Sequence, residues 1–412
     1  MTQASATLPR FSIAVGGGRL GHAEVELGAV LAVMALASLV FVPSLGTLGA
    51  LGFLAAGCAL CALRPSRIIA RVLRDWPVML LAVFCILSVT WSREPTLSLR
   101  FGVQLAATFV IALAIADRLS PRDFLRTMAA CLGVGMFASL IAGGTSGETA
   151  AWTGIYGSKN AFAGAASTFA IIGFGLALAR GPIALRLILL AGGAMGSLFV
   201  VLAQSTGALV LMAITLLACT ACLVLGRLSG IAAAAALFGA ALIAVLAGLV
   251  ASAHITALSD AVLQSTGKDL TLTGRTELWA VALALIAERP LLGVGYQAFW
   301  VIGNAEAEAL WFMFGIEARS GFNFHNLYLS NAVEIGGLGV ALQMVVLLGA
   351  AVMTLRWVLQ SASPVAAVFF GLTLMVVMGS LIEVPLFFQF SLRTVLVVAT
   401  FSYARDALWR GA

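Results

Sequence analysis

Ser229-Gly-Ile-Ala-Ala-Ala-Ala-Ala-Leu-Phe-Gly-Ala-Ala-Leu-Ile-Ala-Val-Leu-Ala-Gly-Leu-Val-Ala-Ser252 is built of small and branched apolar residues, with two serines as its polar side chains. Wound into a helix at about 1.5 Å per residue, such a run spans the roughly 30 Å hydrocarbon core of a bilayer. Working outward from it, uncharged or sparsely charged stretches of similar length occur at 27–43, 45–63, 77–91, 97–116, 124–142, 160–179, 183–203, 206–226, 327–355, 363–383 and 385–404. With 229–252 these predict about twelve transmembrane helices and leave no room for a soluble domain. The composition agrees. The chain is 62% hydrophobic and 10% charged, against about 25% charged in a soluble domain. A soluble globular enzyme and a disordered chain are both excluded. In lipid every backbone polar group must be satisfied internally, so the expected fold is an all-α polytopic membrane protein.

The basic residues set an orientation. Arg64, Arg67, Arg71 and Arg74 follow the second expected span, and Arg118, Arg122 and Arg126 follow the fourth. Cytoplasmic loops carry the excess of Lys and Arg, which places both termini inside. The net charge of +6 then reflects this bias rather than nucleic-acid binding, and no nucleic-acid partner is expected. Residues 1–26 contain His22, Glu24 and Glu26 and lack the compact apolar region of a cleavable signal peptide. The chain divides into nine spans over 1–252, a large external loop over 253–326 and three spans over 327–412.

A loop of that length in so compact a chain is expected to be functional. Within it, Thr273 to Pro290 reads as one helix, capped by Thr273 and stopped by Pro290. Its apolar middle is too short to span, so it should lie against the bundle. Arg275 in its first turn is either a snorkelling cation or part of an anion site. Gly293 and Gly295 permit a tight turn or a close backbone approach. A second helix is expected at about 304–314; Glu306 and Glu308 there fit a helix start better than a paired-carboxylate site. His325 stands where the chain re-enters the membrane, and Glu334 lies nine residues on, deeper and on the opposite face of a straight helix. A carboxylate at that depth suggests function or a buried pair. Cys58-Ala-Leu-Cys61 and Cys219-Thr-Ala-Cys222 have the spacing of metal ligands, but lie in apolar helices without His or carboxylate nearby and are expected to pack as small hydrophobes. Arg393 with Glu383 suggests either a pair within the bundle or the lining of a groove. Gly192-Gly-Ala-Met-Gly196 suggests close helix packing.

Gly274-Arg-Thr-Glu-Leu-Trp279, Pro290-Leu-Leu-Gly-Val-Gly295 and His325-Asn-Leu-Tyr-Leu329 with Glu334 together resemble the O-antigen ligase/polymerase superfamily of bacterial membrane glycosyltransferases. Trp91-Ser-Arg-Glu-Pro95 with Arg100 resembles the family pattern around the third and fourth spans. Gly154-Ile-Tyr-Gly-Ser-Lys-Asn160 resembles an element of its exopolysaccharide-polymerase branch. The resemblance covers roughly 77–400 and implies a GT-C-like fold with the site on a periplasmic loop, in the bacterial inner membrane. It implies a metal-independent, inverting transfer of a glycan from an undecaprenyl diphosphate carrier to a sugar hydroxyl, without cofactor. The acceptor is a glycan, for a polymerase, or lipid A-core, for a ligase. His325 is the implied general base and Arg275 the implied diphosphate clamp. Where many members carry an arginine in a Ser-Arg-Gly sequence, this chain reads Gln204-Ser-Thr-Gly207. A second clamp must come from Lys159 (beside Asn160), Arg100 or Arg393. A transporter of lipid-linked oligosaccharide is the competing reading from another class; the long loop and external polar cluster speak against it.

Overall fold

The computed structural model describes residues 10–13, 23–146, 150–232, 235 and 275–411. Most of the expected span 229–252, the Thr273 cap and the first part of the external loop lie outside the described residues. The described chain begins with a two-stranded antiparallel ribbon, β1 (Arg10–Ile13) against β2 (Ala23–Glu26), with Arg10 opposite Glu26. Among the described residues, the longer elements that follow it are helices: α1 (Leu27–Val40), α2 (Thr47–Leu63), α3 (Pro65–Arg74), α4 (Trp76–Leu87), α5 (Pro95–Arg118), α6 (Pro121–Ala142), α7 (Lys159–Ala177), α8 (Ile183–Leu202), α9 (Thr206–Leu225), α10 (Arg275–Glu288), α11 (Ala305–Met313), α12 (Leu327–Ser361), α13 (Pro364–Gly379) and α14 (Leu392–Trp409). Proline opens α3, α5, α6 and α13, where its missing N–H costs no helical bond.

By length and composition six of these helices cross a membrane: α5, α6, α7, α8, α9 and α12. A seventh arises if α2 and α3, bent by 100° at Arg64, form one broken span. The chain is therefore an all-helical membrane protein, apart from the ribbon. The apolar helices α1, α4 and α13 are shorter than that criterion. Two expected boundaries are corrected. The runs 363–383 and 385–404 were both expected to be helical throughout. The helices instead end at Gly379 and restart at Leu392, and the connector between them is irregular. Pro385 removes a donor there, and Phe387 and Phe390 take positive φ, so the segment is apolar without being helical. Arg393 consequently sits in the first turn of α14, not in mid-span.

The helices sort by environment. Residues Val395 to Ala404 of α14 are buried, as is most of α13, so these two form the centre. On α8 and α9, Leu187, Ile188, Leu198 and Leu217 remain exposed, as suits faces that meet lipid. Close approach of α7 and α8 needs glycine. A Cβ on Gly196 would lie 2.8 Å from the Ala166 carbonyl oxygen, which explains the glycine cluster noted in the sequence.

α5 joins two polar ends of the bundle roughly 35 Å apart at 1.5 Å per residue. Near its C-terminus, Arg118 bonds Glu26 at 2.9 Å and Asp117 lies 3.9 Å from Arg67. Close by, Asp75, fully buried, receives the Ser402 hydroxyl and pairs with Arg71 (3.4 Å) and Arg405 (3.3 Å), while Asp406 takes Arg71 (2.9 Å) and Arg74 (2.8 Å). This network holds α3 to α14. Near the other end of α5 the described part of the 253–326 loop is seated.

Candidate active site

The seat of the loop is made of backbone. α12 is broken at Gly336 (φ 63°, ψ −175°), and the break frees groups that a continuous helix would have used. The Pro290–Gly295 segment takes them up. Val294 N–H donates to Val333 O (3.0 Å), Gly295 N–H to Glu334 O (2.8 Å) and Gly337 N–H to Pro290 O (2.8 Å). A Cβ on Gly293 would lie 2.5 Å from the Glu334 carbonyl, and one on Gly336 2.2 Å from the Leu291 carbonyl. Gly293 and Gly295 therefore serve close backbone contact, one of the two uses that the sequence allowed them. The Trp91–Pro95 motif grips the same segment from the other side. The Trp91 indole donates to Leu292 O (2.9 Å), Arg93 N–H to Val294 O (2.8 Å), and the buried Ser98 hydroxyl to Tyr296 O (2.8 Å). Arg93 also bonds Glu306 at 3.0 Å, and Arg319 lies 3.4 Å from Glu308. The Glu306/Glu308 pair is thus an anchor at the start of α11. Partial burial works to raise the Glu306 carboxyl, but backbone N–H at the helix start and Arg93 outweigh it and hold it below its ordinary value.

This clamp fixes α10 and the loop leading to α12. The Trp279 indole donates to Phe324 O (2.8 Å), so Arg275, one turn earlier on the same face, points toward the next residue, His325. Asn326, rather than His325, caps α12, accepting from Tyr328 and Leu329 N–H. The Asn326 amide donates to Leu381 O (3.1 Å) and Leu327 N–H to Ser380 O (2.9 Å), tying the α13–α14 connector alongside. Asn323 Oδ1 accepts from His325 N–H (2.7 Å) and holds the residue at a φ of 48°. The imidazole is left free of capping, and its Nδ1 lies 3.2 Å from Glu383 Oε2 on the connector. The other carboxylate oxygen, Oε1, lies 3.6 Å from Arg275 and 3.5 Å from Asn160 Nδ2.

Glu383 lies on the wall of a cavity of about 670 Å³, within the range of roughly 300–1,000 Å³ usual for ligand sites. Its cations are Lys159, Arg275 and Arg393. Lys159 opens α7, whose Ser158 cap accepts from Ala161 N–H. A cation at a helix N-terminus opposes the helix dipole, so Lys159 is there at a cost. Arg393 reaches in beside Gly164, where a Cβ would lie 2.1 Å from its Nη2. Gln204, Ser205, Thr206 and Gly207 line the cavity too, so the stretch that departs from the family pattern faces the same space.

Of the residues singled out from sequence, His325, Arg275, Lys159, Asn160 and Arg393 thus converge. Arg100 does not: it is exposed on α5, its guanidinium 5.5 Å from the Phe101 ring. Glu334 does not either. It accepts from Gln297 N–H (2.9 Å) and lines a separate cavity. Glu383 as the partner of His325 was missed from sequence, where it was weighed only against Arg393. The available signal was a lone carboxylate beside Val384-Pro385 in an apolar stretch. Among the described residues, no three His, Cys, Asp or Glu side chains group in a way that would hold a metal ion. Cys219 instead packs against α13, its Sγ 3.1 Å from Ala367 O.

The described residues thus present an apolar helical bundle with a seated loop and, beside His325, a cavity lined by Lys159, Arg275 and Arg393. Residues 187–344 match the family model described as O-antigen ligase. The chain is also 32% identical, over 316 residues, to exopolysaccharide production protein ExoQ of Rhizobium meliloti (strain 1021), an alignment covering 74% of this chain and 71% of that one. The chain belongs to the O-antigen ligase/polymerase superfamily.

Proposed function

We propose that this protein is a metal-independent, inverting glycosyltransferase that polymerises exopolysaccharide or O-antigen repeat units from an undecaprenyl diphosphate-linked donor. The observation that carries the reading is the His325–Glu383 pair at 3.2 Å beside a cavity bearing Lys159, Arg275 and Arg393. Glu383 accepts the Nδ1 proton of His325, which leaves the Nε2 lone pair to receive the proton of the acceptor hydroxyl. That oxygen attacks the anomeric carbon, and the bond to the diphosphate breaks with its electron pair leaving on phosphate. A diphosphate leaves without an acid. What it needs is positive charge placed in advance, which the three cations supply. Asn160, at 3.5 Å from Glu383, steadies the carboxylate.

In this reading twelve spans cross the bacterial inner membrane, nine in 1–252 and three in 327–412, with both termini cytoplasmic and the 253–326 loop periplasmic. The arginine-rich network at the C-terminal end of α5 and the loop at its N-terminal end support that orientation. Transfer to glycan rather than lipid A-core is favoured by the likeness to an exopolysaccharide production protein. The test is transfer by purified wild type and His325→Ala protein supplied with undecaprenyl diphosphate-linked glycan, with or without lipid A-core. A ladder of longer lipid-linked products without lipid A-core is expected from wild type alone. Transfer only to lipid A-core makes the protein a ligase. Movement of lipid-linked glycan across vesicles without transfer makes it a transporter.

A further inference from the structure

Behind the His325 loop lies the second cavity, of about 320 Å³. It adjoins the first through Val384, which lines both. Its wall next to the base is Phe322 and Asn323: the Phe322 ring centre is 5.8 Å from that of His325, and Asn323 bonds the His325 N–H. Two features set this space apart from a packing defect. Its surface is aromatic, with Trp300 5.9 Å from Trp311 and 5.3 Å from Phe322 between ring centres. And three of its lining side chains, Trp311, Ser330 and Asn331, exposed by 2%, 6% and 6%, have Nε1, Oγ and Nδ2 without a hydrogen-bond partner. Buried polar atoms are normally paired, because leaving them unmade is costly. Three such atoms belong to residues that line one cavity, so a small side-chain turn brings unmet hydrogen-bonding capacity to that space. The Glu334 carboxylate lines the same space.

We infer that this cavity is a sugar-binding subsite that holds the acceptor pyranose beside His325. The inference rests on the glycosyltransferase reading above and deepens it. A pyranose has an apolar C–H face and a rim of hydroxyls that each donate and accept. One face lies on Trp300, the partly exposed ring of the pair, while the rim pairs with Glu334 and, after small side-chain turns, with Trp311 Nε1, Asn331 Nδ2 and Ser330 Oγ. A lipid tail would leave these polar atoms unpaired, and a diphosphate would face the Glu334 carboxylate, while the lining cation Arg319 is already paired with Glu308 at 3.4 Å. The donor diphosphate occupies the cationic cavity and the acceptor ring the aromatic one. The hydroxyl that crosses beside Val384 loses its proton to His325.

Trp311→Phe and Ser330→Ala break no side-chain hydrogen bond in the ligand-free protein; because Trp311→Phe trims a buried ring, circular dichroism and melting temperature check that both variants are folded. Binding of methyl glucoside, methyl galactoside, methyl N-acetylglucosaminide and their short oligosaccharides is titrated by saturation-transfer NMR on nanodisc-embedded protein. At least one probe binds wild type and Lys159→Gln alike, and each of the two variants weakens it by about three- to tenfold, the range of a single neutral hydrogen bond. Excess undecaprenyl diphosphate does not displace the sugar. The proposal is overturned if no probe binds wild type, if both variants bind as wild type does, or if undecaprenyl diphosphate competes. If sugar binding behaves as expected and no transfer occurs, the subsite stands and the glycosyltransferase reading falls. If transfer occurs and both variants keep the wild-type KM for acceptor, the subsite falls and the glycosyltransferase reading stands.

Discussion

At the scale of single residues, the proposed mechanism places the chemistry in the cluster around Glu383 and predicts sharply graded effects of its substitutions. Replacing His325 by Ala removes a group that caps nothing but gives up the contact to Glu383, so the protein stays folded with at most a small drop in melting temperature while transfer falls by about 10²–10⁴-fold, the usual worth of a general base. Equal activity in the two proteins would remove His325 from the mechanism. Lys159→Gln and Arg275→Gln each delete one charge-assisted contact and weaken binding of undecaprenyl diphosphate by about ten- to a hundredfold, measured by isothermal titration in nanodiscs. Arg275→Gln has the further effect of loosening Glu383, to which Arg275 lies 3.6 Å away; its loss of transfer therefore exceeds its loss of binding. Part of this grouping was legible in the chain: Arg393 was noted with Glu383 as charges within apolar runs, while His325, Arg275 and Lys159 took their expected roles from the family resemblance. What escaped was pairing across distance: His325 and Glu383 are 58 residues apart, and no periodicity relates them.

At the scale of elements, the helices follow from apolar run length and the breaks do not. Hydropathy reports that a segment avoids water. It does not distinguish a spanning helix from irregular chain whose polar groups are satisfied by protein, and the 380–391 connector is the second kind. Likewise Gly336 reads as one glycine among many until Pro290–Gly295 is placed against it. Gly336→Ala meets both a positive φ and a Cβ 2.2 Å from the Leu291 carbonyl, so it unseats the loop, lowers the melting temperature and abolishes transfer. Gly230→Ala, with no atom within 4 Å of the new Cβ, leaves both unchanged. The Arg93–Glu306 anchor adds a pH dependence. Because the folded carboxyl ionises below its ordinary value, its contribution is complete above the ordinary carboxylate range and is lost as pH falls through the folded value. The wild-type melting temperature drops more steeply than that of Glu306→Gln between about pH 5 and pH 3.

For the whole molecule, α5 is the ruler that separates the arginine network from the site. Asp75 is the keystone of that network. Asp75→Ala leaves Arg71, 8% exposed, facing one carboxylate instead of two. Breaking such a buried cluster costs about 3–5 kcal/mol, read as a large fall in melting temperature of the purified protein. An impermeant thiol reagent applied from the periplasm labels a cysteine placed at Arg319 and leaves one placed at Arg410 untouched; the reverse pattern inverts the topology.

The bonds from Asn326 to Leu381 and from Leu327 to Ser380 have a kinetic consequence. They bolt the stretch of chain bearing the carboxylate to the turn bearing the imidazole, so the proposed base and the carboxylate that orients it arrive as one prefabricated part. Nothing about their spacing waits for a glycan to enter. Each catalytic cycle then begins with the reorganisation already completed during folding, and the length of the growing polymer has no lever on the proton transfer. Rate constants for adding the second and the twentieth repeat unit are accordingly equal at saturating donor.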